Sequence, residues 1–472
     1  MGQEIAATGW REEDFAIFVA RLRAETDLVE QWEAEGRFAS GPPHCGIELE
    51  SCLVDQAMRP APLNTAIIAD IADALVVPEL AQFNIEFNSS PVPLAHNGLA
   101  RLETELEGLR RHARDVAAAH GLHLVQCGIL PTLRHGHLSL RYMTPGNRYV
   151  ALNEHVFRLR KGRPISLAID GAEPLRFEQA DVMLEAGTTS CQFHLTVPGD
   201  ASVHWYNAAK LASAPLVALA ANSPALFGHD LWAETRVPLF EQAVSVGDWD
   251  YAERVTFGVR FLERHLSEVF LANRQRYPVL LPMLSDQPVE QLAHLRLHNG
   301  TIWRWIRPIV GWNADGTPHL RLEQRVVPAG PTIIDSIANA AFFYGLVAAL
   351  ATASTPPDGR CQFFTARDNF YTAARFGLDA RLRWDHRNDQ PVAMLILDHF
   401  LPMADEGLQT LGVSEAERRT YLDLIARRVT SGQNGATWQR AWRARHGGSP
   451  ADVLRAYIER QDSGTPVDSW SL

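Results

Sequence analysis

Four short stretches of the chain carry a pair of polar residues two positions apart inside segments that otherwise read as strands. They are Glu48 and Glu50 in GIELES, Glu86 and Asn88 in FNIEFNS, Gln192 and His194 in CQFHLTV, and Glu323 and Arg325 in HLRLEQRV. Side chains two apart on a strand project from the same face, so each pair presents its groups together, while Ile47, Leu49, Ile85, Phe87, Phe193 and Leu322 face the other way. Four such pairs, rich in Glu and carrying one His, predict a sheet with two unlike faces. One face is apolar and belongs to a core; the other can bind hard divalent cations with something anionic beyond them.

The chain can supply that core. It has 472 residues, 46% of them hydrophobic, enough to bury a large interior. Helical spacing of Phe15, Phe18, Val19, Leu22, Leu28, Val29 and Trp32 predicts a helix over 13–33. A second amphipathic helix follows the Glu86 strand, with Leu99, Leu102, Leu106, Leu109, Ala113 and Val116 three or four apart until Gly121. HLVQCGI reads as a strand, and 132–165, rich in Arg, Gly, Tyr and His, as a functional loop or lid. Helices are expected over 202–221 and roughly 249–274, and from about 366 onward, with a capping box at Ser414 and Glu417 and a helix start at Ser449-Pro450. The apolar run from Ile337 to Ala353 contains Asn339 and follows Asp335, so it reads as a buried helix and not a membrane span. Strands and helices alternate irregularly, which predicts an α+β fold with a largely antiparallel sheet and helices packed on one side. The expected organisation is a helical lead-in over 1–40, a catalytic domain over 41–375 and a helical C-terminal extension over 376–472.

Charge and motifs restrict the function. With 44 basic against 55 acidic residues, net −11, neither nucleic acid nor an anionic membrane is expected as partner. Only Lys161 and Lys210 are lysines, so phosphates or carboxylates would be held by planar guanidinium forks. The five cysteines, Cys45, Cys52, Cys127, Cys191 and Cys361, form no CxxC pair, and the first residues lack an apolar leader, so a cytoplasmic protein with reduced thiols is expected. No phosphate loop, dinucleotide turn, zinc helix or nucleophile elbow is present. A Glu-dominated set with one His suits Mg²⁺ or Mn²⁺ better than Zn²⁺, and Mg²⁺ usually works with substrate phosphates.

These pieces in order resemble a known family. GIELE, the NIEF strand seven residues after Glu79, CQFH, the NSP turn followed by Glu234 and Arg236, the dipeptide at Arg307 and Pro308, and LEQR are similar to the glutamate–cysteine ligase family 2, the carboxylate-amine ligases, from about Cys45 to Gly377. The resemblance implies a glutamine-synthetase-like catalytic domain whose sheet face binds ATP and metal. It implies metal ligands at Glu48, Glu50, Glu79, Glu86, His194 and Glu323, and a phosphoryl clamp at Arg325 helped by Arg307 and Arg236. It further implies an acyl phosphate formed from ATP and a carboxylate, then attacked by an amine, most simply giving γ-glutamylcysteine from L-glutamate and L-cysteine. Arg148, Tyr149, Gln192 and Arg304 are candidates for nucleotide or amino-acid contact, as are His298, Thr301 and Trp303. In GILPT, Leu130 stands where the family often has His, a departure that bears on the substrate.

Each signal has a plain structural counterpart. The Glu pair could be solvated edge charges, His194 a satisfied core histidine, Glu79 a cap, and Glu323 with Arg325 part of a cross-strand ion ladder. A ligase acting on another acid or amine, a non-catalytic nucleotide or metal sensor, and a metal-dependent phosphohydrolase are the competing functions. Small molecules are the expected partners, and self-association is left open.

Overall fold

The computed structural model describes residues 9–247, 253–385 and 388–472. Its centre is an eight-stranded antiparallel sheet made of β1 (His44–Val54), β2 (Val76–Pro78), β3 (Asn84–Asn88), β4 (Val92–Pro93), β5 (His123–Val125), β6 (Cys191–Val197), β7 (Ile306–Trp312) and β8 (Pro318–Gln324). The spatial order is β7-β8-β6-β1-β3-β2, with β4 and β5 pairing with the two ends of the long strand β1. The alternation expected from the sequence is realised: Ile47, Leu49, Ile85, Phe87, Phe193 and Leu322 are all buried in one core cluster.

That apolar face is covered by helices. The helices include α1 (Glu12–Ala34), α2 (Gly98–Ala119), α3 (Asn147–Leu159), α4 (Ser202–Ala220), α5 (Ile333–Thr352), α6 (Glu415–Ser431) and α7 (Pro450–Asp462); α1, α2, α4, α5 and α6 contribute to the main core, whereas α3 and α7 belong to a second apolar cluster. The leucines of α2 and Ala113 face inward at helical spacing, and Gly121 ends the turn in the left-handed conformation at φ 71°. By length and composition α5 could cross a membrane, yet 89% of its apolar window is buried inside the protein. Its first turn explains why: Thr332 caps it by accepting from Asp335 N, and Asp335 pairs with Arg428 of α6 at 2.8 Å, both side chains being excluded from solvent. Arg428→Met would leave the Asp335 carboxylate buried without its cation. We expect a loss of about 3–5 kcal/mol, read as a lower urea midpoint; an unchanged midpoint would show that the backbone N–H of Val467, which also donates to Asp335, suffices.

Ser414 and Ser449 cap α6 and α7 as the sequence anticipates. However, Glu417 does not turn back on Ser414 and instead accepts from Ala100 N at 2.7 Å, joining α6 to α2. Two elements differ from expectation. Residues 253–267 are not helical, because Gly258 takes a φ of 94° and the Glu268 carboxylate gathers the backbone N–H groups of Glu263, Arg264 and His265; the helix spans only Glu268–Arg276, and 249–252 lie outside the described residues. Segment 132–165 is largely structured, through two 3-10 turns and α3. All five cysteines are free and buried.

Candidate active site

The register of the sheet sets the site. Across neighbouring strands His194 lies opposite Glu323 on one side and Gly46 on the other, Glu48 lies opposite Gln192 and Asn88, Glu50 lies opposite Glu86, and Arg307 lies opposite Glu323. The four polar pairs therefore meet on one surface. Of these, Glu48, Glu50, Glu86, Gln192, Glu323 and Arg325 line a cavity of about 820 Å³, which is also lined by Leu281, Met283, Leu284 and Trp303 from the segment preceding β7. That volume is near the upper end for a small-molecule site.

At its centre Glu48, His194 and Glu323 bring one potential ligand atom each within 4.8 Å of one another. His194 Nε2 is 3.1 Å from Glu48 Oε1, but the alignment is not that of a hydrogen bond, and neither ring nitrogen has a hydrogen-bond partner among the described residues. An almost fully buried imidazole that ion-pairs with Glu48 without an aligned hydrogen bond, with Glu323 also facing it, is better matched to a shared cation than to a core role. Burial opposes ionisation of Glu48, yet the adjacent His194 holds its carboxyl down to about 2. Burial likewise opposes Glu323, and Arg307, Arg325 and His194 outweigh it, keeping that carboxyl well below the usual range. Both are anions at neutral pH, as metal ligands must be.

Glu323 also organises the guanidinium groups. Its Oε2 accepts from Arg307 Nη2 at 2.8 Å and its Oε1 from Arg325 Nη1 at 2.5 Å. Arg325 Nη1 donates in addition to Gln192 Oε1, and Gln192 Nε2 donates to Glu50 Oε1 at 3.2 Å. Gln192 is thus the link between clamp and acidic wall, a role its position on β6 did not announce.

The acidic wall comprises Glu50, Glu79, Glu86 and Glu185. Glu50 accepts from Ser190 N and Oγ at 2.9 and 2.8 Å, and Asn88 donates to Glu86 Oε1 at 3.0 Å. Burial and then mutual repulsion raise these carboxyls: Glu50 to about 7, Glu185 to about 8, and Glu86 well above the ordinary value, with Glu79 raised chiefly by burial. The sign of the pH effect follows. Each of these groups has a folded pKa above its unfolded value near 4.5, so its contribution to stability is intact below pH 4.5 and is lost as pH rises through about 7 to 8. A divalent cation reverses that loss by replacing the protons. The rise in Tm given by a fixed Mg²⁺ concentration should therefore grow between pH 6 and 8.5; a constant rise would mean that these carboxyls do not face the ion.

The remaining candidates divide. Arg148 and Tyr149, in the first turn of α3, line the cavity, with the guanidinium 4.5 Å from the Tyr149 ring centre. Thr301 and Trp303 also reach it. Arg236, Arg304 and His298 are not among the residues lining it. Arg236 is fully buried, pairs with Glu234 at 3.1 Å and donates Nη2 to the carbonyl of Arg325 at 3.0 Å, so it positions the Arg325 backbone and does not face substrate. Arg304 donates to Asn273 Oδ1 at 2.9 and 2.7 Å, and His298 Nε2 meets the Asn273 carbonyl; the pull of Asn273 turns both away from the cavity. Leu130 is packed in an apolar cluster with Leu133 and Leu138. Three charged lining residues, Glu185, Arg296 and Arg321, escaped the sequence reading. Glu185 sits on a 3-10 turn, Glu185–Gly187, that has no periodic signature. Arg321 was legible, being one more step of the Glu323 and Arg325 alternation.

Comparison with known proteins agrees with this geometry. The model of the glutamate-cysteine ligase family 2 matches residues 44–456. The chain belongs to this family. The match runs well beyond Gly377, into the helical C-terminal region. Among curated relatives, a Trichormus variabilis protein provisionally named glutamate–cysteine ligase 2 is 23% identical over 403 residues, covering 83% of this chain and 87% of its own length. Among solved structures, the Francisella tularensis glutamate–cysteine ligase in complex with AMP has a TM-score of 0.59 at 12% identity, with 90% of each chain covered; the likeness is one of fold. By family the chain is an ATP-dependent carboxylate-amine ligase.

Proposed function

We propose that this ligase joins the γ-carboxylate of L-glutamate to the amine of L-cysteine through an acyl phosphate, using ATP with Mg²⁺ or Mn²⁺. The observation that carries the reading is Glu323: one buried carboxylate that both completes a three-ligand cluster with Glu48 and His194 and fixes two guanidinium groups above it. A cation held there would neutralise phosphate oxygens.

The chain's own residues supply the rest. In the first step an oxygen of the acid forms a bond to the γ-phosphorus of ATP while the bond from that phosphorus to the bridging oxygen breaks, releasing ADP. Arg325 and Arg307, already oriented by Glu323, stabilise the charge on the equatorial oxygens. In the second step the amine nitrogen attacks the acyl carbon, the carbon–oxygen bond to phosphate breaks and inorganic phosphate leaves. The ammonium proton passes to Glu185, the member of the acidic wall outside the expected metal set, whose carboxyl is raised to about 8 by burial and by the neighbouring Glu79 and Glu50. Trp303 with Leu281, Met283 and Leu284 offers the apolar wall that a purine requires.

The test is phosphate release by purified protein with Mg²⁺-ATP and a panel of acids and amines. Release above background is expected only when an acid and an amine are both present, and highest with L-glutamate and L-cysteine. No such joint dependence anywhere in the panel would sink the reading. The same chemistry on another acid or amine is the second reading, favoured by Leu130 in place of the family's frequent His.

A further inference from the structure

We propose that Arg321 binds an oxyanion of a substrate, either a nucleotide phosphate or the carboxylate of the acid, on the side of the Glu48, His194 and Glu323 cluster away from Arg325. The assignment deepens the ligase reading and rests on it. Alternation along β8 puts Arg321, Glu323 and Arg325 on one face, with Arg321 about 7 Å along the strand from Glu323. It lines the cavity.

Arg321 has no hydrogen-bond or ion-pair partner among the described residues, and its buried Nε is unsatisfied. Its neighbours across the sheet are Ile309 and Thr196, which bring no carboxylate, and Thr196 Oγ1 is taken by His44 N. The anions within reach, Glu48 and Glu323, are already engaged by His194, Arg307 and Arg325. The charges acting on Arg321 are those of Glu323 and Glu48 on one side and of Arg307 and Arg296, which also line the cavity, on the other. A guanidinium keeps its charge at any physiological pH and its planar fork matches phosphate or carboxylate. Holding it partly desolvated without a counter-ion is costly unless a ligand supplies the anion.

The experiment is calorimetric titration of the full chain with Mg²⁺-ADP in one arm and L-glutamate in the other, comparing the native protein with Arg321→Met and Arg321→Lys. In Arg321→Met one affinity is expected to fall about ten- to hundredfold while the other holds, with Tm unchanged or higher because an unpaired charge has been removed; Arg321→Lys should lie between. Loss in the ADP arm assigns the phosphate, and loss in the glutamate arm the carboxylate. Equal affinities in both arms, a lower Tm without selective loss of either ligand, or a native chain that binds neither probe overturns the assignment. A native chain that binds Mg²⁺-ADP but shows no turnover dependent on acid and amine removes the ligase reading and leaves the Arg321 measurement standing.

Discussion

Arg325→Ala is expected to lower phosphate release that depends on acid and amine by about 10³–10⁵-fold, the range for removing a guanidinium that meets the transferring phosphoryl group. The structure adds a constraint on how the loss is distributed. Arg325 is not one of the three residues at the cation cluster, and Glu323 keeps Arg307 at 2.8 Å when Arg325 is removed. Stabilisation by Mg²⁺ should therefore survive in the variant while kcat collapses. Arg325→Lys should recover little, because Nη1 alone donates to both Glu323 and Gln192, and an ammonium held by the same two acceptors has no second nitrogen to offer a phosphoryl oxygen. A variant that turned over at a tenth of the native rate or better would show that Arg325 is a structural member of the ion ladder.

Glu323→Gln should be as damaging to turnover and should differ in every other readout. The amide fills the same space but carries no charge, so Arg307 and Arg325 both lose their anion and the cluster of Glu48 and His194 loses a ligand. Breaking a buried pair on one side costs about 3–5 kcal/mol, so the apoprotein should unfold at lower urea. Metal affinity should fall by at least the about 10- to 100-fold seen when the surroundings of a site are altered, removing most of the Mg²⁺-dependent rise in Tm. The contrast between the two variants is the informative measurement: Arg325→Ala retains the Mg²⁺ response and Glu323→Gln does not. Retention of the full Mg²⁺ response in Glu323→Gln would place the cation elsewhere in the cavity.

Much of the fold was legible because local alternation and helical spacing are short-range signals. The buried faces of β1, β3, β6 and β8 and the inward leucines of α2 follow directly from residue order. The family resemblance rests on the same strands, and it extended further than the sequence pieces showed, since the helices after Gly377 carry few polar signatures. The failures are equally specific. Residues 253–267 look helical by composition, but one left-handed glycine and a carboxylate that gathers three backbone N–H groups stabilise a loop instead. Arg236 entered the expected set through the family resemblance and Arg304 through its place just before Arg307, whereas Glu234 and Asn273 hold them in the interior.

The sequence by itself determined which residues share a face: Glu48 with Glu50, Glu86 with Asn88, Gln192 with His194, and Glu323 with Arg325, since the two-residue repeat of a strand leaves no other choice. Only the tertiary structure decided which pairs meet. The strand order β8-β6-β1-β3 joins segments as far apart as Glu48 and Glu323, and its register brings His194 opposite Glu323 while Glu50 and Glu86 stand two same-face rows away, beyond the row of Glu48 and Gln192. That register is fixed by packing of the apolar face against α2, α4 and α5. A slip of one residue would turn every acidic side chain into the core, so the core settles what the polar face can bind.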